Sequence, residues 1–251
     1  TRLVPLVYRN TRFLTISEST RREMEELHMS RRPIEIVVSG VPRELVPGAK
    51  AAEPTILYLG RLKAYKRIRE LIDAFAAIRA RIPNARLVIA GEGDDRASLE
   101  AYASQRGGDA IAFTGRVDDA TKLRLMQEAW VFGMPSSIEG WGIVVVEANA
   151  CGTPAVAYDV QGLRDCIVDG RTGFLARDPA EFAERLEAVL ADDALRERLS
   201  REARAWAEQF SWDKTAGVTL EQIRRLQPWR AVFEPDEEGS WQLRKTQQLG
   251  A

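Results

Sequence analysis

Two glutamates with seven residues between them, Glu139 and Glu147, bracket a glycine turn, Gly140-Trp141-Gly142, and the apolar run that follows it. Upstream, Arg61 and Lys66 flank a turn directly after another apolar run, Thr55 to Leu59. Further glycine turns stand at Gly60, at Gly91-Glu92-Gly93 and at Thr114-Gly115-Arg116-Val117. Two cations, glycine turns and the free amides of a helix start make a seat for a diphosphate, because each supplies donors or positive charge. Each charge-assisted hydrogen bond in such a seat contributes roughly 1.5–3 kcal/mol. Taken singly, Arg61 or Lys66 reads as an ordinary surface cation; their placement with the glutamate stretch gives them a shared task. Carboxylates accept hydrogen bonds from hydroxyls, so Glu147 suits a ribose and Glu139 a sugar ring. Glu147 sits amid apolar residues, where an unpaired carboxylate is costly, and a hydroxyl-rich ligand would relieve that cost. A carboxylate pair would also serve a glycosidase, but that reading leaves Arg61 and Lys66 without work.

The elements that must position these groups follow from the spacing of apolar residues. It predicts strands at Arg12 to Ile16, Ile34 to Val38, Thr55 to Leu59, Arg86 to Ala90, Ile111 to Phe113, Trp130 to Met134, Ala155 to Tyr158 and Gly173 to Ala176. Helices alternate with them: Arg21 to Leu27 with Thr20 and Glu23 at capping-box spacing, one from Ile68, Asp95 to Arg106, Asp118 to Gln127, and Gly142 to Ala150, stopped at Gly152. Strands apolar on every residue and alternating with helices predict an α/β fold, a parallel sheet covered on both faces, in which ligands sit at the carboxyl ends of the strands. Asp178-Pro179-Ala180-Glu181 starts a run of three C-terminal helices that ends near Leu226. The stretch 42–54, with Pro42, Pro47, Gly48 and Pro54, reads as a linker. Residues 1–41 before it form one β-α-β piece, too small to hold a core alone, and read as the end of a domain whose beginning is absent. Residues 55–227 read as the ligand-binding domain, and 228–251 as a tail with an acidic turn at Glu234 to Glu238.

Composition narrows the classes. The 251 residues are 45% apolar and 29% charged, with 36 basic against 37 acidic side chains. Such a balance gives no electrostatic footprint for nucleic acid. No apolar run approaches the roughly 18 residues of a membrane span, and two cysteines, Cys151 and Cys166, fit a reducing compartment. The expected location is the cytoplasm, with any membrane association left to the absent domain. His28 has no metal-ligand companions and reads as a surface residue. Gly91-Glu92-Gly93 is followed by Arg96 where the third glycine of a dinucleotide fingerprint belongs, which disfavours a nicotinamide enzyme. Phosphate-loop Gly-Lys-Ser and Gly-x-Ser-x-Gly sequences are lacking.

Gly60-Arg61 with Lys66, Gly91-Glu92-Gly93, Phe113-Thr114-Gly115, Glu139 and Glu147, then Cys151-Gly152-Thr153-Pro154 in this order closely resemble the donor-binding half of family 4 of the retaining glycosyltransferases, enzymes of the GT-B fold. The likeness runs from about Thr11 to Leu226. It implies two Rossmann-like domains facing across a cleft, with a nucleotide-diphosphate sugar, UDP- or GDP-linked, held by the C-terminal one. It assigns Arg61 and Lys66 to the diphosphate, Glu139 to the transferred sugar, Glu147 to the ribose, and the amides of Gly142, Ile143 and Val144 to the phosphates, with Gly60, Gly91, Glu92, Arg116 and Val117 lining the nucleotide. It also implies retention of the anomeric configuration without a required metal or cofactor. Where the family often has Gly-Gly, this chain has Gln161-Gly162, with Asp165 in the usual acidic slot. The missing acceptor half predicts weak or no transfer by this chain alone, and self-association through residues 1–40, where Leu3, Val4, Leu6, Val7, Phe13, Ile16, Ile34 and Ile36 would lose partners. The alternative is a non-catalytic or partner-dependent nucleotide-sugar-binding subunit.

Overall fold

The computed structural model describes residues 4–225, together with 233–235 and 241–243. A first piece comprises helix α1 (Val4–Tyr8), strand β1 (Phe13–Thr15), helix α2 (Glu18–Glu26) and strand β2 (Ile34–Ile36), the two strands pairing in parallel. Helix α2 begins three residues before the expected start. The Ser17 hydroxyl, not that of Thr20, caps it by accepting the Thr20 amide at 3.1 Å, and so takes the place of the Thr20–Glu23 box.

The main sheet contains β3 (Thr55–Leu59), β4 (Arg86–Ala90), β5 (Ile111–Gly115), β6 (Val131–Met134), β7 (Ala155–Tyr158) and β8 (Gly173–Ala176), all parallel, in the order β5-β4-β3-β6-β7-β8. The chain winds outward from β3 to β5, returns to pair β6 with β3, and winds outward the other way. Connections leaving β3 and β6 therefore diverge, opening a crevice above the carboxyl ends of these central strands. The layers are α3 (Ile68–Arg79), α4 (Arg96–Ser104), α5 (Asp119–Glu128), α6 (Ile143–Ala150), the short α7 (Leu163–Cys166), α8 (Pro179–Ala191) and α9 (Asp193–Ala207). Helix α3 buries Ile68, Leu71, Ile72, Phe75 and Ile78 along one stripe. Asp178 caps α8 through the Glu181 amide at 2.9 Å with Pro179 in its first turn, as the sequence predicts.

The 42–54 stretch is not a loose linker. Gln127 donates to the Val46 carbonyl, the Ala51 amide to the Glu128 carbonyl, and the Trp130 indole to the Ala51 carbonyl. Lys50 donates to the Ala129 carbonyl at 2.8 Å and the Thr153 hydroxyl at 2.6 Å, and burial lowers its ammonium to about 8. Helix α10 (Trp212–Arg225) straps the junction from the other side: the Val41 amide donates to the Phe210 carbonyl at 3.1 Å, and the Thr215 hydroxyl to the Val38 carbonyl at 2.7 Å. Gly40 lies flush against that strap, since a Cβ there would fall 2.2 Å from the Trp212 nitrogen. In the expected tail, β9 (Phe233–Pro235) and β10 (Trp241–Leu243) pair antiparallel; residues 236–240, which include most of the expected acidic turn, lie outside the described residues.

Of the apolar residues expected to be orphaned, Leu6 and Val7 are 68% and 70% exposed and Ile16 is exposed too. Ile34 is instead 5% exposed, and Phe13 and Ile36 are half-buried, because the β-α-β piece covers its own strands in part. Leu3 and the side chain of Val4 lie outside the described residues.

One buried amide stands out on α6. Asn149 is fully buried, and among the described residues neither its Oδ1 nor its Nδ2 has a hydrogen-bond partner. Leucine has the same number of side-chain heavy atoms and no polar group to satisfy. Asn149→Leu is expected to raise stability by about 1–3 kcal/mol, read as a higher denaturant midpoint; an unchanged or lower midpoint would mean that a buried water satisfies the amide.

Candidate functional site

Beyond the sheet, the loops after β3 and β4 are fused backbone to backbone. The Gly60 amide donates to the Ala90 carbonyl at 3.0 Å, the Gly91 amide to the Gly115 carbonyl at 2.8 Å, and the Leu62 amide to the Glu92 carbonyl at 2.9 Å. Gly91 has φ +137°, and a Cβ there would lie 1.9 Å from the Gly60 carbonyl oxygen. At Gly93 a Cβ would lie 2.0 Å from the Leu62 oxygen. These glycines are needed to let two loops touch, whatever else lies above them. Glu92 is engaged by Arg96 at 2.5 Å and by the Arg116 amide at 3.3 Å, so the arginine in the third-glycine slot serves to hold this carboxylate. The Arg116 side chain is exposed and Val117 half-buried at the end of β5.

The cation loop is ordered from within. The Tyr58 phenol donates to the Arg61 carbonyl at 2.8 Å; burial holds its pKa far above the usual value, so it stays a donor. The Arg61 guanidinium is exposed and donates to the Tyr65 hydroxyl at 2.8 Å. Lys66, at the end of a single 3-10 turn (Ala64–Lys66), is only 7% exposed and is ion-paired with Glu139. The Tyr65 carbonyl accepts from the Ser137 amide at 2.9 Å and its hydroxyl at 3.0 Å, which ties the cation loop to the glutamate loop. Arg61 and Lys66 thus share a loop but differ in environment: one reaches into solvent, the other is held by Glu139.

The glutamate stretch turns where glycine allows it. Gly142, with φ +76°, is the N-cap of α6, and a Cβ there would meet Cys166 Sγ and Leu163 Cδ2, both at 2.9 Å. Gly162 lies under the same turn, 2.3 Å from the Glu139 oxygen by the same measure. The amides of Gly142, Ile143 and Val144 have no carbonyl of their own helix to bond, and no protein partner among the described residues. Glu147, 6% exposed, is not the unpaired carboxylate that the sequence implied: Lys122 from the first turn of α5 meets its Oε1 at 2.6 Å. Sequence reasoning missed Lys122. Its only signal is its position one turn past the Asp118 cap, on the helix that follows the Thr114-Gly115-Arg116-Val117 loop.

The result is a helix start with unbonded amides, flanked by two ion pairs, Lys66–Glu139 and Lys122–Glu147, at the switch point of the sheet. Asp165 faces the first piece, its Oδ2 accepting the Ser19 amide at 3.1 Å, and a Cβ at Gly140 would lie 3.3 Å from Ile16 Cδ1. Cys151 and Cys166 are buried free thiols; burial pushes the first up to about 11 and raises the second well above its usual value, so neither is a nucleophile at neutral pH. Among the described residues no three His, Cys, Asp or Glu side chains gather as a metal site, and no helix is long and apolar enough to cross a membrane. His28 is exposed beside the end of α2.

A parallel sheet wound outward in both directions from its centre, with helices on both faces, defines a Rossmann-like α/β protein. The profile of the family described as glycosyl transferases group 1 matches residues 46–206, and the chain belongs to that family. It is 38% identical over 178 residues to a phosphatidyl-myo-inositol mannosyltransferase of Mycobacterium leprae, covering 68% of this chain and 46% of the relative. It is 37% identical over 171 residues to a D-inositol 3-phosphate glycosyltransferase of Jonesia denitrificans, covering 64% of this chain and 40% of the relative. The chain spans about half the length of the curated relatives it matches. Among solved structures, the sucrose-phosphate synthase of Thermosynechococcus elongatus superposes with a TM-score of 0.80 at 26% identity, over 90% of this chain and 61% of that one. Anabaena HepE, solved with UDP and glucose, shares the fold at a TM-score of 0.80 and 21% identity, over 88% of this chain and 65% of that one. The chain carries the C-terminal half of the GT-B architecture.

Proposed function

We propose that this chain is the donor-binding part of a retaining glycosyltransferase, which moves a sugar from a UDP- or GDP-linked donor to an acceptor hydroxyl. The observation that carries the reading is the unbonded helix start at Gly142, Ile143 and Val144 flanked by the Lys66–Glu139 and Lys122–Glu147 pairs. In this reading the diphosphate sits on those amides and on Arg61 and Lys66, Glu139 faces the transferred sugar, and Glu147 accepts from the ribose. Gly60, Gly91, Glu92, Arg116 and Val117 line the nucleotide side. Fixed cations and amides stabilise the charge that grows on the leaving diphosphate, and the chemistry asks for no cofactor. The acceptor comes from the facing half of the cleft, so this chain alone binds donor and transfers poorly, and its first 40 residues associate with another copy.

Calorimetric titration of the chain with UDP- and GDP-sugars tests the proposal. One base series is expected to bind, and Arg61→Ala to weaken it by about tenfold or more; no heat with any member would overturn the reading. Turnover by the chain alone, with no added partner, would overturn the assignment of transfer to a two-part site.

A further inference from the structure

The carboxyl ends of β7 and β8 carry a second crevice, which the donor reading leaves unused. It is lined by the nearly buried Tyr158 at the end of β7 and by Arg67, Ser137, Asp159, Arg177 and Asp178. In the strand order β3-β6-β7-β8 it lies one step further out than the Glu139 loop, which follows β6. It also shares a wall with that loop: Ser137 stands two residues before Glu139, and Arg67 directly follows Lys66, the partner of Glu139. Its open space of about 460 Å³ is within the range of small-ligand pockets. Arg67 is held there at a cost. Its backbone is left-handed, with φ 49° and ψ 36°, a conformation that glycine adopts freely and arginine does not. Its guanidinium lies 5.8 Å from the centre of the Tyr158 ring and 3.6 Å from Glu70 Oε1, and among the described residues it makes no hydrogen bond. Asp159 Oδ1 accepts from Arg164 and Asp178 Oδ1 from the Glu181 amide, while the second oxygen of each has no partner among the described residues.

We propose that this crevice seats one uncharged sugar ring of a sugar-bearing acceptor, next to the transferred sugar, with Arg67 and Asp159 as the residues that select it. The inference rests on the nucleotide-sugar reading above for what lies beside the crevice, and on the crevice's own walls for the ligand. Arg67 and Arg177 balance Asp159 and Asp178, so a phosphate or carboxylate meets no net positive charge here. What the walls offer is donors and acceptors side by side: the N–H groups of Arg67 and a free oxygen on each aspartate. A sugar ring carries adjacent hydroxyls that donate and accept at once, and it satisfies both kinds of group. A guanidinium without a hydrogen bond gains most from a ligand oxygen placed against it. That contact would offset the backbone strain at Arg67, which is stored at the edge of the crevice.

The test is calorimetry on the whole chain, with and without saturating UDP or GDP. The probes are the methyl glycosides of glucose, mannose and galactose, and the 6-phosphates of the same three sugars. One glycoside is expected to bind saturably, and more tightly than the matching 6-phosphate. Arg67→Gly and Asp159→Asn are each expected to weaken it by about tenfold, as the loss of one charge-assisted hydrogen bond would, while nucleotide affinity stays within about twofold. Arg67→Gly also relieves the left-handed backbone, so its denaturant midpoint should be no lower than that of the unaltered chain, and unfolding cannot then account for a lost sugar. No saturable glycoside binding, tighter binding of the 6-phosphates, or unchanged glycoside affinity in both variants would each overturn the inference. Failure of UDP and GDP alike to bind would instead overturn the donor reading, and the titrations without nucleotide would still decide whether the crevice takes a sugar.

Discussion

Lys66→Ala is expected to reduce nucleotide-sugar affinity by about a hundredfold or more, as two charge-assisted hydrogen bonds would, and to destabilise the fold by about 3–5 kcal/mol. Both effects have one origin. Lys66 is nearly buried, and its partner Glu139 has a side chain only 15% exposed. Taking away the ammonium leaves a carboxylate facing the place proposed for a diphosphate, so it becomes repulsive toward the ligand as well as poorly solvated. The two effects separate in a double variant. Lys66→Ala with Glu139→Gln removes the orphan charge, so its stability should return most of the way, read by denaturant unfolding. Its donor affinity should stay low, read by calorimetry, since the cation is still absent. Unchanged affinity in Lys66→Ala would remove this residue from the binding site.

Gly91→Ala is expected to be among the most damaging small substitutions in the chain, costing about 3 kcal/mol or more through a clash that no side-chain rotation can relieve. The added methyl would fall 1.9 Å from the Gly60 carbonyl oxygen, in a backbone conformation with φ +137°. Relief requires the β3 and β4 loops to part, which would also displace Arg61 and the Leu62–Glu92 hydrogen bond. Gly108→Ala is the control: its φ is +53°, yet nothing lies within 4 Å of the new methyl, so only the left-handed conformation is penalised, at about 1–2 kcal/mol. The difference between the two unfolding midpoints isolates the close approach of the loops. Equal losses would mean that the loops part freely.

The sheet was legible because its strands are apolar on every residue and punctuated by glycine and proline, as at Thr55–Leu59 and Ala155–Tyr158. The α8 start was equally plain, since Asp178, Pro179 and Glu181 each have a local reason to be there. Local chemistry was ambiguous at α2, where two hydroxyl residues three positions apart, Ser17 and Thr20, both fit as caps; Ser17 accepts the Thr20 amide and donates to the Thr20 hydroxyl, so the helix starts a turn earlier. Lys122 could not be found from spacing, because its partner Glu147 is 25 residues away and on another helix. Gly91 and Gly93 show a subtler limit. A glycine turn at a strand end reads as a ligand seat, whereas here its first duty is to make room for a neighbouring loop. The docked course of residues 42–54 was likewise hidden, because proline and glycine mark irregular backbone without saying what it lies against.

Phe210 occupies a position with mechanical meaning. Its carbonyl holds the Val41 amide, at the end of the first piece, while its ring packs edge-on against Trp141 at 5.3 Å between centroids, one residue from the Gly142 cap. Trp206 backs it on the far side at 5.2 Å, pinned in turn by the Cys166 carbonyl. Phe210 is therefore the pivot of a short lever. Any swing of the first piece about Val41 pulls on the same residue whose ring braces the turn before α6, so the tilt of that piece and the shape of the turn are geared together.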